Sequence, residues 1–233
     1  MRLLAFDTAM DACTVALAEE GAVVAARQEA MRRGQAEALV PMIDALMAEV
    51  GWRPAALDGI GVSIGPGAFT GIRIGIAAAR GLGLALDRPV AGIATTAAIA
   101  AAQPPAPSPL LIALETKRDD LYVALTGAGV DPAPRALPPG AVAGWLLDRL
   151  GRRPEALRLA GDAQTRAGAA LDAAGLAWIR GGGPDLPSPQ ALARLTQETL
   201  ADWAARGERP PPPSPLYLRP PDATPPRPPA SAL

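Results

Sequence analysis

A pattern of three strands followed by alternating helices and strands runs through the first hundred residues and then begins again, and that repetition is what most limits the architecture open to this chain. Apolar segments at 3–7, 14–17 and 23–27 are separated by turn residues, the last break being Glu19-Glu20-Gly21, so a β-meander comes first. Leu39, Ile43, Leu46, Met47 and Val50 then recur at helical spacing between Gln35 and Gly51, and Val40 and Met42 widen the apolar surface, which predicts a helix covered on two sides. A buried strand at 60–64, a glycine-rich turn, a helix at 70–86, a strand at 90–93 and a helix at 95–102 complete a βββαβαβα unit. Gln103 to Pro109 carries four prolines and cannot continue a helix, which makes it a linker.

Beyond the linker the pattern restarts in weaker form. Strands are expected at 110–114 and 121–125, then an irregular proline-rich stretch, a helix at 141–150, a strand at 157–160, a helix at 163–174, a strand at 176–179 and a helix at 190–205. Two successive units of a meander plus crossover helices predict an α/β chain built from duplicated ribonuclease-H-like lobes. The expected division is 1–105, 106–207 and a proline-rich extended tail at 208–233, in which Leu216-Tyr217-Leu218 is the apolar cluster able to dock.

Composition narrows the chemistry. The 233 residues suffice for a sizeable core, and apolar residues at 49% with aromatics at only 3% mean that Ala, Leu, Ile and Val fill it at close range. A net charge of -1 lacks the cationic excess of an autonomous nucleic-acid binder, so any RNA is expected to be held mainly through a partner. The single cysteine, Cys13, cannot form an internal disulfide, and the first residues do not resemble a signal peptide, which together predict the cytoplasm. The apolar stretch 72–86 is interrupted by Arg73 and Arg80 and reads as too short for a membrane helix. There is no histidine at all, which excludes Ser-His-Asp and Cys-His hydrolases and every His-based metal site; a carboxylate magnesium site stays open.

Few residues are candidates for chemistry. In Gly65-Pro66-Gly67-Ala68-Phe69-Thr70-Gly71 the glycines turn the backbone between a strand and a helix, where free amides could receive an anion. No Gly-Lys-Ser or Gly-Lys-Thr follows, so a tight connection is the plainer reading. Asp7 and Thr8 end the first strand, where an Asx or Thr turn closing a hairpin is the plainer reading. A resemblance to actin-like ATPases, which put a magnesium-associated acidic residue and phosphate-binding hydroxyls at that position, would make them face a phosphate and magnesium. Asp7, Thr8, Gly65 and Gly67 are accordingly the weak cofactor-binding candidates. Gly71, Gly75, Ala79 and Gly83 fall at intervals of four, a row of small side chains that lets another helix approach, first of all one of the chain's own. Cys13 lies among Ala12, Val15 and Leu17 and reads as a small buried hydrophobe. Arg73, Arg80, Arg209, Arg219 and Arg227 could meet phosphate or partner carboxylates but read as solvated surface.

These segments together resemble the TsaB (YeaZ) family, the dimerisation subunit of the bacterial complex that makes threonylcarbamoyladenosine in tRNA. The resemblance runs through Leu4-Ala5-Phe6-Asp7-Thr8, residues 12–17, Leu39-Val40-Pro41-Met42-Ile43, and residues 65–75, the most specific stretch. It continues through Arg118 with Leu121-Tyr122-Val123-Ala124, Gly161-Asp162, and Pro215-Leu216-Tyr217-Leu218-Arg219. It implies the actin-like ATPase (ASKHA) fold with a degraded active site, pairing with the homologous catalytic subunit TsaD, assistance by the small ATPase TsaE, and a homodimer when alone. It implies no catalytic residue, metal or cofactor in this subunit, with any ATP or ADP held at the interface of the complex, and no membrane. The activity implied is non-catalytic support of threonylcarbamoyl transfer to N6 of adenosine 37 in tRNAs reading codons that begin with A.

Family dimers form through the first two helices. The resemblance therefore turns the reading of the small-residue row toward a partner and implies an interface of Leu39, Met42, Ile43, Leu46, Ile72, Gly75, Ile76, Ala79 and Gly83. On that reading Gly75→Leu or Ala79→Leu weakens the heterodimer and leaves the monomer folded. The rival reading is an independent actin-like small-molecule kinase or ATPase, whose base would be a carboxylate such as Asp58, Glu115 or Asp162, with Gly181-Gly182-Gly183 more readily a flexible loop than a nucleotide turn.

Overall fold

The computed structural model describes residues 1–219 apart from Lys117 and Ala128. The first unit consists of β1 (Arg2–Asp7), β2 (Ala12–Glu19), β3 (Ala22–Ala30), α1 (Gln35–Glu49), β4 (Gly59–Gly65), α2 (Phe69–Leu86), β5 (Val90–Ala94) and α3 (Thr95–Ala101). The second consists of β6 (Leu110–Glu115), β7 (Leu121–Thr126), β8 (Arg135–Leu137), α4 (Pro139–Leu150), β9 (Arg158–Ala160), α5 (Gln164–Ala173), β10 (Ile179–Arg180) and α6 (Pro189–Ala205).

Each unit forms one five-stranded sheet, ordered β3-β2-β1-β4-β5 in the first and β8-β7-β6-β9-β10 in the second. The first three strands of each unit are antiparallel, and the fourth and fifth are parallel to the first. The same order with the same senses occurs twice, so the chain has the duplicated ribonuclease-H-like architecture of the actin-like ATPase fold. The repeat extends to a backbone detail. Gly65 at the end of β4 and Gly161 just after β9 have φ of 103° and 105°, which a residue with a Cβ rarely adopts.

Alternation along β1 assigns the layers. Leu4 and Phe6 join Leu39, Ile43, Leu46, Ile72 and Ile76 in the core beneath α1 and α2. Leu3 and Ala5 face the opposite side, where they pack with Leu192, Ala193 and Leu200 of α6. The last helix of the second unit thus covers the first unit's sheet, while Ile99 of α3 packs with Leu110, Ile112 and Leu114 of β6. The exchange interlocks the lobes. It depends on Gly59 and Gly61 of β4, where added Cβ atoms would collide with Leu200 and Thr196 of α6.

Helix ends follow local chemistry. α6 starts at Ser188, whose hydroxyl accepts the amide of Ala191 at 3.1 Å, with Pro189 in the first turn; α4 begins at Pro139 and ends on Gly151 with φ 63°.

Three readings of the sequence need correction. The proline-rich stretch holds a strand, β8, too short at three residues for alternation to reveal. The strand expected at 176–179 is confined to Ile179–Arg180; Leu176 instead anchors the loop before it, 2% exposed in the second core. Finally, α2 is long and apolar enough, by length and composition, to cross a membrane, with a mean hydropathy of 1.3 over 18 residues. Its apolar character has a local cause, since one side, with Ile72, Ile76 and Ala79, is packed in the first core.

Candidate functional site

β1 delivers Asp7 to the end of the central strand beside the end of β4, through the parallel register that sets Phe6 against Val62. There the Asp7 carboxyl is 0% exposed. Oδ1 accepts the amide of Ala9 at 3.3 Å, whereas Oδ2 has no hydrogen-bond partner among the described residues. The hydroxyls of Ser63 on β4 and Thr95 at the start of α3 are likewise buried and unpartnered. Burial pushes the Asp7 carboxyl up to about 6; the nearby Ser63 hydroxyl and the amides of Ala9 and Met10 oppose the rise without cancelling it. Cys13 on β2 is 0% exposed, and burial, with the Asp7 charge adding to it, pushes its thiol up to about 11, so it stays a thiol at neutral pH.

Thr8 donates its hydroxyl hydrogen to the carbonyl of Gly71 at 2.8 Å inside the protein. The glycine-rich turn packs on the same segment: the amide of Ala68 donates to Ala9 O at 2.7 Å, and a Cβ at Gly67 would strike that carbonyl. A Cβ at Gly65 would lie 2.7 Å from Ile72 Cδ1, and the Gly65-Pro66 peptide is cis. The four weak cofactor candidates do come together, but as a closed junction between β1, β4 and α2. Two surface depressions lie elsewhere, about 470 Å³ beside Ser188 and Arg194 and about 440 Å³ between α4 and α5.

The second lobe supplies the counterpart. Glu115 ends β6 as Asp7 ends β1, and its Oε2 accepts from Arg166 Nη1 at 2.6 Å. Asp162, just beyond β9, accepts the Glu115 amide at 2.9 Å, and burial followed by the charges of Glu115 and Asp11 pushes its carboxyl up. The carboxylates named for the kinase reading thus separate. Glu115 and Asp162 adjoin, while Asp58 accepts the amide of Arg2 at 2.7 Å at the far end of β1. Among the described residues no group of three or more Asp, Glu or Cys side chains is placed to hold a metal ion. Gly181-Gly182-Gly183 is tied down, since the Gly183 amide donates to Gln103 Oε1 at 2.9 Å and Gln103 Nε2 donates to Pro184 O at 2.7 Å.

Residues 23–133, just under half of the chain, match the family described as TsaD, tRNA N6-adenosine threonylcarbamoyltransferase. The tRNA threonylcarbamoyladenosine biosynthesis protein TsaB of Escherichia coli is 35% identical over 124 residues, covering 52% of this chain and 53% of that protein. An uncharacterized protein of Mycobacterium bovis is 32% identical over 225 residues, 96% of this chain and 94% of its own. The solved structure of YeaZ from Pseudomonas aeruginosa superposes with a TM-score of 0.71 at 29% identity, covering 93% of this chain and 99% of that one. The chain belongs to the TsaB (YeaZ) family. Against the E. coli relative the match spans about half of that protein's length.

In this TsaB-family chain the nine residues expected at a partner interface turn inward. Leu39, Met42, Ile43, Leu46, Ile72, Ile76 and Ala79 are at most 4% exposed in the chain's own core, and Gly75 and Gly83 are buried with them. The row of small residues seats α2 on its own sheet. A Cβ at Gly75 would lie 2.7 Å from Thr8 Oγ1, while Cβ atoms at Gly71 and Gly83 would collide with Thr8 O and Val90. Helical spacing identified the apolar stripe, but a stripe reports burial and not which surface covers it. The outward residues of the same helices are different ones: Val40 on α1 at 53% exposed, and Phe69 at 51% and Leu84 at 87% on α2.

The arginines read as solvated surface are partly engaged. Arg73 Nε donates to the Tyr217 hydroxyl at 2.8 Å, Arg209 pairs with Asp87 at 3.0 Å, and Arg219 pairs with Asp120. Arg80 is exposed, and Arg227 lies outside the described residues.

Proposed function

We propose that this chain is a non-catalytic supporting subunit in the formation of threonylcarbamoyladenosine at adenosine 37 of tRNA, acting in the cytoplasm. The observation that carries the reading is the sealing of Asp7. The residue at the magnesium-associated position of the actin-like fold is 0% exposed behind a junction closed by Gly65, Gly67 and Thr8. Family membership and the match to the TsaD family supply the pathway. An independent kinase or ATPase would need Asp7 to face a ligand, and no observation favours it. No cofactor is assigned to this subunit; ATP or ADP, where the assembly uses it, is assigned to the subunit interface.

The proposed partner is the homologous catalytic subunit TsaD, docked on the outward faces of α1 and α2, with the small ATPase TsaE joining the assembly and a second copy of this chain using the same face when TsaD is absent. Val40 and Leu84 are apolar side chains that α1 and α2 leave in water, and Phe69 is half-exposed beside the Tyr217 ring. Burying them on association gains roughly 25 cal/mol per Å² of apolar area, less the cost of ordering the complex.

Reconstituted modification of tRNA with TsaD, TsaE and the threonylcarbamoyl-adenylate generator should require this chain, and this chain without TsaD should give none. Leu84→Glu combined with Val40→Asp should weaken TsaD binding by roughly tenfold or more in calorimetry while leaving the unfolding midpoint of the isolated chain near wild type. Unchanged affinity would move the interface elsewhere. Full modification in the chain's absence would reject the supporting role.

A further inference from the structure

The chain does not end its structural contribution at α6. Residue Arg209 pairs with Asp87, the residue capping the C-terminus of α2, at 3.0 Å. Pro213 is buried against the middle of β5, with its Cβ 3.3 Å from where a Cβ on Gly92 would stand. The Leu216 amide donates to the carbonyl of Ile64 on β4 at 2.8 Å. Tyr217 stacks on Phe69 in the first turn of α2 with ring centroids 5.4 Å apart, and the Arg73 guanidinium lies 3.8 Å over the same Phe69 ring while donating to the Tyr217 hydroxyl. To this point every anchor belongs to the first lobe.

Two residues later the segment is held by the second lobe. Arg219 pairs with Asp120 in the turn between β6 and β7; the Asp120 side chain is only 11% exposed, and its carboxylate is also held by Thr116 Oγ1 at 2.7 Å. Consecutive Cα atoms are about 3.8 Å apart, so the chain from Tyr217 to Arg219 has a reach of about 7 Å. Separation of the lobes beyond that reach and the adjustment the two side chains allow breaks the anchor at Tyr217 or the one at Arg219. The segment also rests on the first two turns of α2, so the same event frees that end of the helix.

We propose that residues 208–219 are a strap that holds the two lobes at one closing angle and is released when the Arg219–Asp120 pair breaks. The proposal concerns the isolated chain and does not depend on the supporting role above. It is tested with spin labels on Glu49→Cys in α1 and Arg152→Cys after α4, both at exposed positions, and with amide hydrogen exchange. Arg219→Glu should lengthen and broaden the label distance. It should also raise exchange at 64–73 and 118–121 on the order of tenfold, with the amides of α4 and α5 unchanged. Arg219→Lys, which keeps a cation for the Asp120 carboxylate, should hold both readouts closer to wild type than Arg219→Glu does. Tyr217→Ala supplies the same measurements at the other anchor, should Arg219→Glu not fold. Unchanged distances and exchange would overturn the strap, and so would exchange rising equally across both lobes or an Arg219→Lys variant that opens as far as Arg219→Glu.

Discussion

Leucine at Gly75 is expected to cost the isolated chain about 3 kcal/mol of unfolding free energy, and valine at Gly71 at least as much, because both added side chains enter space already filled. The Gly71 Cβ would meet the Thr8 carbonyl, which is backbone and cannot swing aside, and the Gly75 Cβ would lie 2.7 Å from Thr8 Oγ1 and 3.2 Å from Val62 Cγ2. Thr8 is doubly committed there, because its hydroxyl bonds Gly71 O at 2.8 Å. Gly81 is the control on the same helix, since nothing lies within 4 Å of its Cβ position. Gly81→Leu should fold at least as well as wild type, because leucine is the better helix former. Denaturant midpoints of the three variants decide the matter. Wild-type midpoints for Gly71→Val and Gly75→Leu would mean that the small-residue row faces a partner after all.

Asp7→Asn is expected to stabilise the chain at pH 7.5 by up to about 3 kcal/mol, the equivalent of a carboxyl raised from 3.8 to about 6 by burial. The sign follows from proton binding. Between pH 3.8 and about 6 the folded chain holds a proton on Asp7 that the unfolded chain has released, so stability falls as pH rises through that window and levels off above it. The favourable contribution is complete below 3.8 and gone above about 6. Asparagine carries no charge to desolvate and keeps an acceptor for the Ala9 amide. The stabilities of the wild type and of the Asp7→Asn variant should therefore converge near pH 4 and diverge toward pH 7.5. A variant less stable than wild type at pH 7.5 would show that the carboxylate has a partner the fold needs. That Oδ2 of Asp7 has no hydrogen-bond partner among the described residues, and that no basic side chain contributes to its shift, argues against one.

Much of the architecture was legible from periodicity. The meander, the helices α1 and α2 and the restart after the four prolines follow from alternation, helical spacing and turn chemistry, each decided within a dozen or so residues. Of the short strands of the second lobe, β9 was legible at 157–160, whereas β8 was missed and β10 was placed too early, because three and two residues offer too few positions for a period to settle them. Their place is set by pairing with β7 and β9, across loops or a helix that no local period reads.

The site shows the same division. That Asp7, Thr8, Gly65 and Gly67 belong together could be suspected from strand-end and turn chemistry, but whether they open on a ligand or close on one another depends on how near α2 comes to β1. That distance is fixed by Gly71 and Gly75 meeting Thr8 across more than sixty residues of chain. The sequence by itself determined the α/β repeat, the absence of histidine chemistry and the apolar stripes of α1 and α2, because composition and period are local properties. The tertiary structure alone decided that those stripes cover the chain's own sheet, that α3 and α6 are exchanged between the lobes, and that the tail ties one lobe to the other. Burial is a relation between surfaces far apart in the chain, and no single segment carries it.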